Sequence, residues 1–179
     1  MSLSALLLAG GESRRMGVDK ATLTIGGTPL WQRQIALLRE LEPEELFIAV
    51  RRIPAWAPDE GECLLDLPPS RGPLSGLAVG LARSQSSHLV VLAVDMPFMT
   101  SAHLRLLCEL TRPGCGVMPF VNERAEPLAA LYPREAREEI SSALAGDDFS
   151  LQALARLLIG SDKLQPVRIP RTNARFTAA

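Results

Sequence analysis

Short apolar runs alternate along this chain with stretches in which apolar positions recur every three or four residues, the rhythm of buried strands separated by amphipathic helices. Leu6, Leu7, Leu8 and Ala9 form the first run, and its lack of polar alternation predicts a parallel strand buried on both faces. Further strands are predicted at 46–50, 63–65 and 88–94, the last being the clearest in the chain. Between them, Trp31, Ile35, Leu38 and Leu41 recur at helical spacing behind Pro29, whose missing N–H costs nothing at a helix start. That stripe predicts a core-facing helix. A second helix is expected over 74–83, with Gly76 and Gly80 suggesting close packing on the sheet, and Thr100 is an N-cap candidate for a third that reaches Leu110. Residues 117–121 and 127–132 flank Asn122, Glu123 and Arg124 as two extended arms, which predicts a short antiparallel excursion. Helices over 134–144 and 151–159 and an extended segment over 164–169 complete the pattern. Strands and helices in alternation imply an α/β fold of three layers, with a mostly parallel sheet and helices on both faces.

Composition narrows the class. The chain has 179 residues, a length that suits one domain over 1–179 and buries roughly 70% of its unfolded surface. It has no internal repeat and no low-complexity stretch. A formal charge of −1 removes the general attraction on which nucleic-acid binders and membrane-surface proteins rely, so basic residues must act locally. No apolar run approaches the ~20 residues that span a bilayer, and no basic segment precedes an apolar one at the start, so the expectation is a cytoplasmic protein. Cys63, Cys108 and Cys115 lack paired metal-ligand spacing and read as free thiols.

The chemistry concentrates just after the first strand. Gly10 and Gly11 let the backbone approach a ligand without a Cβ in the way. Arg14, Arg15 and Lys20 then follow closely and can offset a triphosphate, while loop N–H groups donate to its oxygens. Two familiar phosphate loops do not fit. A Walker A loop needs glycine, lysine and a hydroxyl residue in succession, but Val18 and Asp19 follow Gly17, and Ala21 follows Lys20. A dinucleotide fingerprint needs Gly-x-Gly-x-x-Gly, which Gly10, Gly11 and Glu12 break.

Two carboxylates stand at other strand ends. Asp95 follows the apolar run 90–94 directly and is expensive to bury without a partner. Magnesium suits it, since that ion takes hard oxygens and is held by one or two carboxylates together with substrate phosphates. The alternative is a cap on the turn before Pro97 or on the helix near Thr100. Asp66 precedes a proline-rich loop and then Gly72, Pro73 and Leu74, which on physical grounds alone make a helix-start turn. Arg51 and Arg52, the second adjacent basic pair, follow the strand at 46–50 and suit a solvated loop or a ligand contact equally. His88 and His103 read as structural, and no serine, histidine and acid constellation stands out.

The order of residues from Leu8 to Lys20, with Ala9, Gly10, Gly11, Ser13, Arg15, Met16, Gly17 and Asp19 between them, closely resembles the signature loop of the molybdenum cofactor guanylyltransferases, within the nucleotidyltransferase superfamily. Asp95, Met96 and Pro97 resemble that family's metal-binding strand end, and Asp66 with Gly72 its nucleotide pocket. The resemblance implies a Rossmann-like nucleotidyltransferase domain that moves GMP from MgGTP to molybdopterin, releasing pyrophosphate. It implies Arg15, Lys20 and Asp95 as catalytic residues, Asp95 as the Mg²⁺ ligand, and Leu8, Ala9, Gly10, Gly11, Lys20, Asp66, Gly72 and Asp95 as nucleotide contacts. GTP and molybdopterin are the implied substrates, with molybdenum-cofactor delivery or acceptor proteins as further partners, and neither nucleic acid nor membrane. Residues 126–132 look like the segment over the acceptor pocket, or else an amphipathic strand. An asparagine that members often carry after the second strand is replaced near Ala49, and the closing asparagine-rich motif survives only as Thr172 and Asn173. Two alternatives stay open: a nucleotidyltransferase using CTP or a sugar phosphate, and a non-catalytic nucleotide-binding module.

Overall fold

The computed structural model describes residues 1–10, 19–59, 61–66 and 68–169. In chain order its elements begin with β1 (Leu3–Leu8), a 3-10 turn at Lys20–Thr22, β2 (Thr24–Ile25), β3 (Thr28–Pro29) and α1 (Leu30–Arg39). Next come β4 (Glu45–Val50), β5 (Glu62–Leu65), α2 (Pro73–Arg83), β6 (His88–Ala93) and α3 (Ser101–Glu109). The last part holds β7 (Gly116–Val121), β8 (Arg124–Ala125), β9 (Ala129–Pro133), a 3-10 turn at Arg134–Ala136, α4 (Arg137–Ala145), α5 (Leu151–Gly160) and β10 (Leu164–Arg168). Among the described residues no helix is long and apolar enough to cross a membrane.

The main sheet runs β10-β7-β9-β6-β1-β4-β5, with β8 paired to β7. Strands β6, β1, β4 and β5 are parallel to one another, and β10 is parallel to β7. Strand β9 runs antiparallel to β6 on one side and to β7 on the other. The sheet is therefore mixed and mostly parallel, as the apolar runs imply. The antiparallel arms do not project from it, because Ala129–Pro133 is buried throughout and can be covered on both faces only inside the sheet.

Alternation along the strands divides the core in two. Ala5, Leu7, Ile48, Val90 and Leu92 pack under Ile35 and Leu38 of α1 and Leu104 and Leu107 of α3. Leu6, Leu8, Phe47, Leu89 and Val91 pack under Leu74, Leu77 and Leu81 of α2, with Ile140, Leu154 and Leu158 of α4 and α5. Helix α2 lies tight against the sheet where glycine permits it. A Cβ on Gly80 would stand 2.5 Å from Leu6 Cδ2, and one on Gly76 2.7 Å from Leu8 Cδ2.

Three local details differ from the sequence pattern. The buried stripe of α1 is Leu30, Gln34, Ile35 and Leu38, with Trp31 and Leu41 only half-buried against the core. Gln34 replaces an apolar side chain there because its amide meets the Met96 carbonyl. Thr100 is the N-cap residue of α3, as expected, but makes no side-chain cap bond, since its hydroxyl pairs with His103 Nδ1. Strands β2 and β3 form a hairpin absent from the sequence expectation. Its signal was present, because Gly26 and Gly27 adopt φ of 59° and 82°, the positive values a two-residue turn requires.

Candidate functional site

Strand order decides which side chains meet. Leu8, the last residue of β1, is in register with Ala93 of β6 and Ala49 of β4, so the segments that leave these parallel strands emerge side by side. Gly10 follows β1, Arg51 follows β4, Asp66 follows β5 and Asp95 lies two residues past β6. These four residues, with Lys20, Gly72, Pro73, Gly76 and Leu128, line one cleft of about 170 Å³. Carboxyl ends of neighbouring parallel strands are where open α/β sheets bind ligands.

Lys20 and Asp95 meet directly in this cleft. Lys20 Nζ donates to Asp95 Oδ2 at 2.8 Å, with side-chain exposures of 33% and 24%. The Asp95 turn is held from below, since Val94 N–H donates to the Leu8 carbonyl at 3.0 Å and Ala93 N–H to the Leu128 carbonyl at 2.8 Å. Gln34 Nε2, almost fully buried, donates to the Met96 carbonyl at 2.7 Å.

Asp66 faces the same space from the far side. Burial pushes its carboxyl above the usual range, and the Ser70 hydroxyl bond and the Arg51 charge pull it back. Ser70 Oγ donates to Asp66 Oδ2 at 2.8 Å. Gly72 then turns the chain into α2 at φ 65° and ψ −141°, a conformation that a side chain resists. The turn is closed by Arg71 N–H donating to Ser75 Oγ at 2.7 Å, and Pro73 begins the helix. Cleft lining and helix-start turn are thus the same residues.

The other nucleotide-contact candidates fall in different places. Leu8 lines the cleft. Ala9 is buried and donates its N–H to the Ala49 carbonyl at 3.0 Å, so it shapes the floor and that N–H is engaged. Gly11 and Arg15 lie outside the described residues, as do Thr172 and Asn173. Leu128, from the segment 126–132, does reach the cleft. The Tyr132 hydroxyl steadies that segment by donating to the Pro127 carbonyl at 2.8 Å.

Arg51 is a cleft residue that sequence reasoning left undecided; its signal was a basic pair directly after an apolar strand. His88 lies at the opposite end of β6, 3% exposed, and burial holds its imidazole below the ordinary range. Among the described residues no group of three or more histidine, cysteine or acidic side chains gathers as a metal cage. Asp95 nevertheless offers hard carboxylate oxygens at the wall of the cleft. Such a donor set suits a divalent ion shared with ligand oxygens and water.

The model of the MobA-like NTP transferase domain matches residues 5–164. A probable molybdenum cofactor guanylyltransferase of Opitutus terrae is 36% identical over 172 residues, covering 94% of this chain and 85% of the relative. The molybdenum cofactor guanylyltransferase of Xanthomonas euvesicatoria is 34% identical over 158 residues, covering 87% and 79%. Among solved structures, molybdopterin-guanine dinucleotide biosynthesis protein A from Archaeoglobus fulgidus superposes with a TM-score of 0.66 at 26% identity, over 96% of this chain and 85% of that one.

Proposed function

This chain belongs to the MobA-like NTP transferase family, and from that membership and the cleft geometry we propose that it transfers GMP from MgGTP to molybdopterin, forming the guanine dinucleotide cofactor. That it is a nucleotidyltransferase follows from the family itself. One contact carries the site assignment: Lys20 Nζ stands 2.8 Å from Asp95 Oδ2 in a cleft that Gly10, Asp66 and Gly72 also line.

In this reaction an acceptor phosphate oxygen attacks the α-phosphorus of GTP. A new P–O bond forms, the bond to the β-phosphate breaks, and pyrophosphate leaves with the electron pair. A phosphate monoester is largely ionised at neutral pH, so no general base is needed. Such transfer depends on positioning and on charge stabilisation. Lys20 answers the second need, because an ammonium has three donors and can serve Asp95 and a phosphate oxygen together. Arg15 is assigned to the same developing charge. Gly10 and Gly11 admit the phosphates close to the backbone, Leu8 and Ala9 form the floor, and Asp66 and Gly72 take the nucleoside side. Mg²⁺, which Asp95 would hold, supplies charge neutralisation on the phosphate oxygens when bound.

The test is an assay of purified protein with each nucleoside triphosphate, with and without molybdopterin, scored by the dinucleotide formed. The expected result is product from GTP alone, dependent on both Mg²⁺ and molybdopterin. Silence under those conditions, or preference for CTP, refutes the proposal.

A further inference from the structure

Lys20 ends in a flexible stem that does not by itself fix where its ammonium lies. Its neighbour Asp19 is held at three atoms. Asp19 Oδ1 accepts from the Ala21 N–H at 2.9 Å, and Oδ2 accepts from the Trp56 indole Nε1–H at 2.8 Å. The Asp19 carbonyl accepts from the Thr22 N–H at 3.0 Å and from Thr22 Oγ1 at 2.8 Å. Trp56 is in turn stacked on Trp31, with ring centroids 5.4 Å apart and planes 16° from parallel.

Trp31 sits in the first turn of α1, and Gln34 follows three residues later, so both project from one side of that helix. Gln34 holds the Met96 carbonyl beside Asp95. One helix therefore steadies both partners of the cleft ion pair, Lys20 through Trp56 and Asp19, and Asp95 through Met96. Neither Asp19 nor Trp56 lines the cleft.

We infer that Trp56 and Asp19 are positioning residues for Lys20: the indole N–H and the tryptophan stack anchor Asp19, and Asp19 aims the lysine at Asp95 and at the ligand of the cleft. The requirement is specific to tryptophan. Phenylalanine at position 56 keeps a ring for Trp31 but has no donor for the carboxylate.

The test uses the intact chain and two measurements, of which only the second rests on the nucleotide-site reading above. Lys20 and Lys163 are the chain's only lysines, so limited acetylation followed by peptide mass spectrometry reads Lys20 against an internal reference. Trp56→Phe is expected to raise the Lys20-to-Lys163 acetylation ratio by about threefold or more, on the scale of one lost hydrogen bond at a solvent-exposed position. An unchanged ratio, or an equal rise at both lysines, overturns the inference. The second measurement is calorimetric titration with MgGTP of the wild type, Trp56→Phe, Lys20→Met and the double variant. Affinity should fall about fivefold with Trp56→Phe alone and not fall further when it is added to Lys20→Met, because coupled residues are non-additive. An independent fivefold loss in the Lys20→Met background refutes action through Lys20. If the wild type binds no GTP while the acetylation ratio responds, the nucleotide reading fails and the positioning role stands.

Discussion

Asp95→Asn separates what this carboxylate does for folding from what it does for turnover. At 2.8 Å from Lys20 Nζ, the attraction of two unit charges in water is about 1.5 kcal/mol. Both side chains are partly open to solvent, at 33% and 24%, and there side-chain ordering and screening leave such pairs worth about 0.2–1 kcal/mol. Asparagine keeps the size and one acceptor oxygen. The variant should therefore lose about 1 kcal/mol of stability or less, a fall in Tm of about 2–4 °C at most for a chain of this length. On the proposed assignment turnover should respond far more, because asparagine lacks the charge with which Asp95 would hold the divalent ion that neutralises the phosphates. A loss of about 10²–10³ in kcat, or about 2.7–4 kcal/mol, is expected. The assay is pyrophosphate release from MgGTP and molybdopterin at saturation, with thermal unfolding of the same samples. Turnover within about threefold of wild type, well short of that loss, would refute the assignment. So would a Tm fall beyond about 8 °C, which would make Asp95 a structural residue.

Gly80→Ala puts a methyl 2.5 Å from Leu6 Cδ2 and 3.0 Å from Cδ1, against a side chain with no exposure. Overpacking of about 1–3 kcal/mol should outweigh the helix preference for alanine of up to about 1 kcal/mol; an unchanged or raised urea midpoint contradicts this. At Glu45, burial alone would raise the carboxyl, but bonds from the Ser4 hydroxyl and the Gln85 N–H and the charge of Arg83 outweigh it and hold it below its ordinary 4.5. A depressed folded value gives stability that is present above 4.5 and lost as pH falls through the folded value. The stability difference between wild type and Glu45→Gln should accordingly stay constant from neutral pH and shrink in acid, and a difference that grows on acidification defeats the reasoning. Burial, with a contribution from Glu109, lifts the Cys108 thiol from 9.0 to about 11. Iodoacetamide should alkylate it about 100-fold more slowly at pH 8 than an unperturbed thiol, and labelling at the ordinary rate would show that the site is open.

Much of the frame was readable before any coordinates. Apolar runs marked β1 and β6, which are buried along their whole length, because a strand buried on both faces tolerates no polar alternation. Gly76 and Gly80 announced the close approach of α2, since a helix carries such residues at a helix preference cost of about 1 kcal/mol each. Other features were present in the sequence and carried too little weight alone. Gly26 and Gly27 were such a case, lying between segments too short to show a period. Gln34 breaks an apolar stripe, and only the position of the Met96 carbonyl explains why an amide belongs there. Arg51 looked as much like a solvated loop residue as a cleft residue, because the neighbour of β4 is not written in β4.

By itself the amino-acid order determined the local elements, the alternation that sorts side chains onto two faces, and the glycine-rich cationic segment that marks the family. Those are short-range properties, set by backbone sterics and by periodicity within a few turns or residues. Which strand lies beside which was decided only by the tertiary structure, through the packing of two helical layers onto one sheet. Placing β1 between β6 and β4 is what brings Lys20 and Asp95, 75 residues apart in sequence, to 2.8 Å. It also brings Asp19 within 2.8 Å of the Trp56 indole nitrogen, 37 residues further along the chain. No local pattern encodes such meetings, because they are favourable only once the whole sheet has formed.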